Sequence, residues 1–124
     1  MLSMVRGPDI TVLSGQTDSN PAILEHSFGD AFQVIIKTPA TMPEVATVQL
    51  STDFNTNYMK DGITLAAAIT AAVWFVAPAG VTIAAAGLGS SFAGALLTAA
   101  AMRIHFTAGA GANRVFQTYK QMGD

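Results

Sequence analysis

From Gly62 to Met102 the chain carries no charged side chain, and Ala, Gly, Thr, Val and Ile make up most of that stretch. So long an uncharged run belongs either to a membrane hairpin or to the interior and contact surfaces of a folded domain. Its first part, Ile63 to Ala77, is interrupted by Pro78 and Gly80 before it reaches the roughly 20 residues that cross a bilayer core. The second part, Val81 to Met102, is long enough but is diluted by Gly87, Gly89, Ser90, Ser91, Gly94 and Thr98. Only Val81, Ile83, Leu88, Phe92, Leu96 and Leu97 supply the favourable insertion terms of about −0.3 to −0.6 kcal/mol each. At the flanks Lys60 and Asp61 cancel, and Arg103 stands almost alone, so both ends lack strong interfacial anchors. Met1 to Arg6 shows no apolar core followed by a small-residue cleavage site, so no secretory signal is expected.

The charged flanks favour β-structure. In Asp30–Lys37 (DAFQVIIK), β-branched and aromatic residues fill a short run bounded by Gly29 and by Thr38-Pro39. Val45–Ser51 (VATVQLS) alternates: Val45, Thr47, Gln49 and Ser51 share one face, and Ala46, Val48 and Leu50 the other. The connector between these runs contains Pro39 and Pro43, which suit a turn, so the two are expected to be consecutive antiparallel strands. Met102–Thr107 (MRIHFT) places Met102, Ile104 and Phe106 on one face and Arg103, His105 and Thr107 on the other. After the Gly-rich Ala108–Ala112, Arg114–Gln121 resumes with β-formers, and the pair reads as a hairpin. Further strands are expected at Asp9–Leu13, Ala22–Phe28, 71–77 and 80–86, with a turn at Ala77–Gly80. Residues 63–70 stay open, because their Ala content favours helix while the neighbouring runs favour strand. Short strands at spacings near ten residues predict an all-β fold, a single antiparallel β-sandwich of jelly-roll or Ig-like type over residues 9–124. Residues 1–8 have no periodicity and are expected to form an extended N-terminal arm that orders on a neighbour.

Chemical motifs are mostly excluded. The chain has no cysteine, which removes disulfides, thiolate metal sites and cysteine nucleophiles together. Its net charge is −2, and only 11% of residues are charged, so no basic field exists to gather nucleic-acid phosphates. Asp53-x-Asn55-x-Asn57 copies the start of a calcium loop, but Tyr58 stands where Gly is needed and Thr64 where a bidentate Glu is needed. An Asx-rich turn is the expectation there. Gly87-Leu88-Gly89 and Gly109-Ala110-Gly111 lack the third glycine of a dinucleotide fingerprint and the Lys-Ser or Lys-Thr of a phosphate loop. His26 and His105 are not linked by metal-ligand spacing, and His105 is expected to be a solvated or interface side chain. Ser90 and Ser91 lack a nucleophile elbow, since Ala93 occupies the place of its second Gly. The acids are dispersed, and no enzymatic activity or cofactor is expected.

The block from Ala100 to Ala108 (AAMRIHFTA), followed by Asn113–Gln117 (NRVFQ), resembles the closing hairpin of small β-sandwich structural proteins of tailed bacteriophages. The run Val45–Ser51 (VATVQLS), reached through Pro39 and Pro43, is similar in style. The Ala-rich Leu65–Ala72 departs from that pattern. The resemblance implies a non-enzymatic virion protein, a capsid decoration or cement subunit or a head or tail component. Its partners would be copies of itself and major capsid or other virion proteins, with no nucleic acid and no membrane. Aromatic residues dominate interface energetics, which makes Tyr58, Trp74, Phe75, Phe92 and Tyr119 the candidate contact residues. For Trp74 and Phe75 the domain's own core competes with that role. Two other readings stand beside it. One is a holin-like membrane hairpin using residues 63–102. The other is a carbohydrate-binding sandwich, which the single tryptophan argues against.

Overall fold

The computed structural model describes residues 3–28, 33–39, 43–76, 82–83, 89–93 and 99–122. Ten strands and two short helices follow in the order β1 (Ser3–Arg6), β2 (Ile10–Val12), β3 (Ala22–Ile23), α1 (Leu24–Phe28), β4 (Gln33–Lys37), β5 (Ala46–Ser51), α2 (Leu65–Ala71), β6 (Phe75–Val76), β7 (Thr82–Ile83), β8 (Gly89–Ala93), β9 (Ala101–Phe106) and β10 (Arg114–Met122). They build two antiparallel sheets packed face to face, so the expected all-β sandwich is the observed architecture. Sheet one runs β1-β10-β4-β8 and sheet two β3-β9-β5-β6. In addition β2 pairs with β10 and β7 pairs with β5. Each sheet is therefore four strands wide, with one outer strand made of two segments.

The split in sheet one has a local cause. Arg6 is opposite Tyr119 and Ile10 is opposite Phe116, so Gly7, Pro8 and Asp9 face only Gln117 and Thr118. One extra residue on the outer strand is a bulge, and Pro8 has no N–H to give to the ladder. The backbone N–H of Gly7 donates to the Thr118 carbonyl at 2.9 Å, and the Thr118 hydroxyl donates to the Pro8 carbonyl. A Cβ on Gly7 would stand 2.5 Å from Thr118 Oγ1 and 3.0 Å from Phe28 Cε1, so only glycine lets the chain pass this close. Residues 3–6, expected as part of a free arm, are instead a strand of the domain itself. Their backbone groups find partners on β10, which local periodicity could not announce.

Alternation decides which side chains go inside. Ala46, Val48 and Leu50 of β5 and Met102, Ile104 and Phe106 of β9 are all buried, as their spacing predicts. They meet Ile10, Val12, Val34, Ile36 and Phe116 from sheet one. Phe106 and Phe116 pack edge to face across the sandwich with ring centroids 6.1 Å apart. Leu24 and Phe28 join the same core from α1. Their spacing of four residues puts both on one face of a helical turn, which is why Ala22–Phe28 is a two-residue strand followed by a helix and not one strand.

Both expected hairpins are absent. β4 pairs with β10 and β8, whereas β5 pairs with β9, β6 and β7, so the Pro39–Pro43 connector carries the chain from sheet one to sheet two. Likewise β9 lies in sheet two and β10 in sheet one, and the Gly-rich connector between them is a crossover. Glu44, just before β5, forms an ion pair with Arg114, the first residue of β10, at 2.9 Å from Oε1 to Nε. Its other oxygen accepts from the Gly111 backbone at 3.0 Å, so one side chain ties the two crossovers together.

In the uncharged stretch, Ala propensity prevails over its first part. Thr64 caps α2, its hydroxyl accepting from Ala67 N at 3.1 Å, and the helix ends at Ala71 before Val73-Trp74-Phe75-Val76. Among the described residues, the strand expected over 71–77 is found at Phe75–Val76 and the one expected over 80–86 at Thr82–Ile83. The expected turn at 77–80 lies outside the described residues, as do Gly87 and Leu88. Gly89–Ala93, read only as turn and non-catalytic serines, forms β8 against β4. No helix among the described residues is long and apolar enough to cross a membrane.

Candidate interaction surface

The chain between β5 and β6 builds a second, smaller core at one end of sheet two. Phe54, Ala68 and Ala101 are buried there, with Ile23, Tyr58, Leu65, Ile69 and Trp74 packed around them. Its frame is polar and local. Asn55 Oδ1 accepts from Asn57 N at 2.9 Å, an Asx turn, and Asn55 Nδ2 donates to Asp61 at 2.8 Å. Asp53 Oδ1 accepts from Val73 N and from Ser51 Oγ, each at 2.9 Å. The Val73 N–H, and next the Ser51 hydroxyl, hold the Asp53 carboxyl below its ordinary range. Asp53 and Asn55, two of the three residues that mimic a calcium loop, are thus engaged by the fold itself, and among the described residues no three acids or histidines converge on a metal position.

Three aromatic rings meet in this small core. Phe54 lies 6.1 Å from Tyr58 and 6.0 Å from Trp74 between centroids. The Trp74 indole donates to the Ile69 carbonyl at 3.1 Å, and its face receives the Arg103 guanidinium at 4.4 Å. Arg103 Nε donates to Gln49 at 2.8 Å and stands 3.6 Å from Asp18. Burial pushes the guanidinium below its ordinary value, and Asp18 opposes that shift. His105 Nδ1 lies 2.6 Å from the same Asp18 oxygen. The half-buried His105 is therefore engaged within its own chain, holding the segment before β3 against β9. Nothing in its sequence spacing pointed to Asp18 as its partner.

The five candidate contact residues do not form one patch. Tyr58 and Trp74 are half-buried in the small core, next to Phe75, which begins the outer strand of sheet two and is 42% exposed. Tyr119 belongs to the other sheet, where the Arg6 guanidinium lies 5.6 Å from its ring centre. Phe92 is opposite Val34 on β8, at the far edge of sheet one, and its side chain lies outside the described residues. The surface missed by weighting aromatics alone is aliphatic. Val73 is 66% and Val76 62% exposed, on either side of Trp74 and Phe75. A strand that shows apolar side chains on both faces and carries no charge is an unusual edge for a soluble protein.

A cleft of about 590 Å³ runs between β2 and the segment leading to β3, lined by Asp9, Leu13, Gln16, Asp18 and Asn20 among others. Its two acids are already engaged, Asp9 with Arg6 at 2.6 Å and Asp18 with His105.

These features define a class, a small two-sheet antiparallel sandwich with an apolar outer strand. The crystal structure of SPBc2 prophage-derived protein YomS is similar to it in fold, with a TM-score of 0.52 over 98% of this chain and 93% of that one. Sequence identity is 4%, so the likeness is one of fold. No protein-family model matches the chain, and no curated protein matches it in sequence.

Proposed function

We propose that the protein is a non-enzymatic structural subunit of a bacteriophage particle, a capsid decoration or cement protein that stabilises the virion through repeated subunit contacts. The observation that carries this reading is the outer strand of sheet two, where Val73, Phe75 and Val76 are exposed together. A small rigid sandwich with such an edge suits a contact module, and many weak contacts on a repeating shell sum to firm attachment. The fold shared with a prophage-derived protein supports the phage setting. Its partners are copies of itself and the major capsid protein or another virion protein. The compact acidic chain, with a net charge of −2, offers no general surface for nucleic acid.

Immunogold labelling and quantitative mass spectrometry of purified particles from the encoding phage test the proposal. A constant, high copy number on the shell is the expected result. Label confined to the tail would move the subunit within the virion and remove the decoration role. Protein absent from particles and recovered in the host membrane would overturn the proposal in favour of the holin-like reading.

A further inference from the structure

We propose that the β6 edge pairs antiparallel with the β6 edge of a second copy of this chain about a twofold axis, continuing sheet two across two subunits. This rests on the structural-subunit reading only for its biological purpose, and its geometry is argued from the edges of the sandwich. Four observations carry it. First, β6 is the last strand of sheet two, and among the described residues nothing pairs with its outer side. Its backbone N–H and C=O groups there form an open ladder.

Second, the other outer strands with described side chains carry protection that β6 lacks. The β1–β2 edge is broken by the Gly7-Pro8-Asp9 bulge and bears the Arg6–Asp9 ion pair. The β3 edge, as short as β6, is preceded directly by Pro21 and followed closely by Glu25. Bulges, prolines and charges are the means by which sheet edges resist pairing. Val73-Trp74-Phe75-Val76 contains none of them within the run itself, and the nearest proline in sequence, Pro78, comes two residues after it.

Third, charge selects the occupant. A twofold contact brings each residue near its own copy, so any charge in the patch would meet a like charge. The run itself carries no charge, and the Arg103 guanidinium over Trp74 is largely buried and faces Asp18 at 3.6 Å, so pairing of the edge with itself brings no exposed like charges together. The nearest carboxylate, Asp53, sits at the Val73 end, bound to that residue's N–H. Antiparallel pairing centred on Phe75 and Val76 leaves the two Val73 positions, and with them the Asp53 groups, five residue steps apart, roughly 17 Å at about 3.4 Å per residue. That exceeds the screening length of about 10 Å at moderate salt.

Fourth, the side chains are disposed to gain from it. Phe75 is opposite the buried Leu50, which sets it towards the core side of the sheet, and yet it remains 42% exposed. Val76, opposite Gln49, is on the outer side and 62% exposed. A strand added at this edge would cover both faces at once. The contact is short, so the pair is a weak one whose strength on a particle comes from repetition.

Sedimentation equilibrium of the full chain, followed up to about 1 mM so that even a millimolar dissociation constant registers, reads the association directly. The expected result is a reversible dimer whose dissociation constant rises at least about tenfold in Val76→Lys, with Val115→Lys on β10 associating like the parent. Val73→Lys, which alters no strand residue, is expected to weaken the dimer in the same direction should Val76→Lys fail to fold by circular dichroism. A parent chain that stays monomeric, or a dimer indifferent to both edge lysines, would overturn the inference. The virion proposal fails separately, by absence of the protein from particles, so a monomer found on the shell refutes only the pairing and a β6 dimer missing from particles refutes only the virion role.

Discussion

β9 and the stretch from α2 to β6 are both rich in apolar residues, and the fold treats them in opposite ways. In β9 the alternate residues Met102, Ile104 and Phe106 are each fully buried, and Arg103 and His105 between them turn to the outer face. In α2 and β6 only Ala68 is buried, and Val73, Phe75 and Val76 stand exposed. The contrast shows that apolar content does not decide burial. A strand goes inside when its apolar residues share one face and a partner sheet covers that face. An apolar run at the end of a sheet has no such cover within one subunit.

The comparison is broken most directly by truncating a ring on each side of it. Phe106→Ala removes a fully buried ring packed on Phe116 and is expected to cost about 3–5 kcal/mol in urea unfolding. Phe75→Ala is expected to cost less than half as much, because its ring is already partly in water. Equal losses would mean that the β6 edge is core after all.

Next in size is Gly7→Ala, in the sheet opposite β6. The added methyl meets the side chain of buried Thr118 at 2.5 Å, and a loss of about 1–3 kcal/mol is expected from overpacking. Thermal unfolding checks it, and a neutral result would show that the bulge can shift. Thr64→Ala removes the cap of α2 and is expected to cost about 1 kcal/mol. Hydrogen exchange should place that loss in residues 65–71, leaving β9 protected.

The acid dependence is smaller and separates the two regions again. The Gly111 N–H first, and Arg114 next, hold the Glu44 carboxyl below its ordinary range, as Val73 N–H and Ser51 hold Asp53. A depressed carboxylate contributes stability that is complete above its unfolded value and is lost as pH falls through the folded one. Stability should therefore decline as the pH drops below about 4.5, the ordinary glutamate range. Glu44→Gln should flatten that decline by untying the crossovers, and Asp53→Asn by loosening the β6 end. An unchanged acid limb in both variants would remove these contacts from the account. The smallest effect belongs to Val76→Lys, whose stability should stay within about 0.5 kcal/mol of the parent by the same urea assay, since the site is exposed.

Faces were legible in the sequence, and neighbours were not. The alternation in Val45–Ser51 and Met102–Thr107 correctly names Ala46, Val48, Leu50, Met102, Ile104 and Phe106 as the inward set. The same reading paired β4 with β5 and β9 with β10, and both pairs are divided between the sheets. Strand pairing is made by backbone groups that every residue carries, so a side-chain pattern says little about which strand lies alongside. A connector such as Thr38–Val45 is ample to cross the roughly 10 Å between packed sheets at about 3.3 Å per residue. Turn residues therefore announced a change of direction without announcing its destination. The aliphatic edge at Val73 and Val76 escaped for a similar reason, because isolated valines beside a tryptophan read as core until the end of the sheet is known.

By itself the sequence determined that this chain is a β domain with little charge, no thiol chemistry and strands whose inner faces follow a period of two. Those properties are local, set by residue type and by the geometry of a pleated strand. The tertiary structure decided that both proline- and glycine-rich connectors are crossovers, that residues 3–6 close one edge, and that Glu44 meets Arg114 while His105 meets Asp18. It also decided that within the uncharged stretch Val73, Phe75 and Val76 stand exposed at the edge of a sheet, whereas Ala101 and Met102 at its end are buried. Each of these depends on residues far apart in the chain arriving side by side, and only the packing of two sheets brings them there.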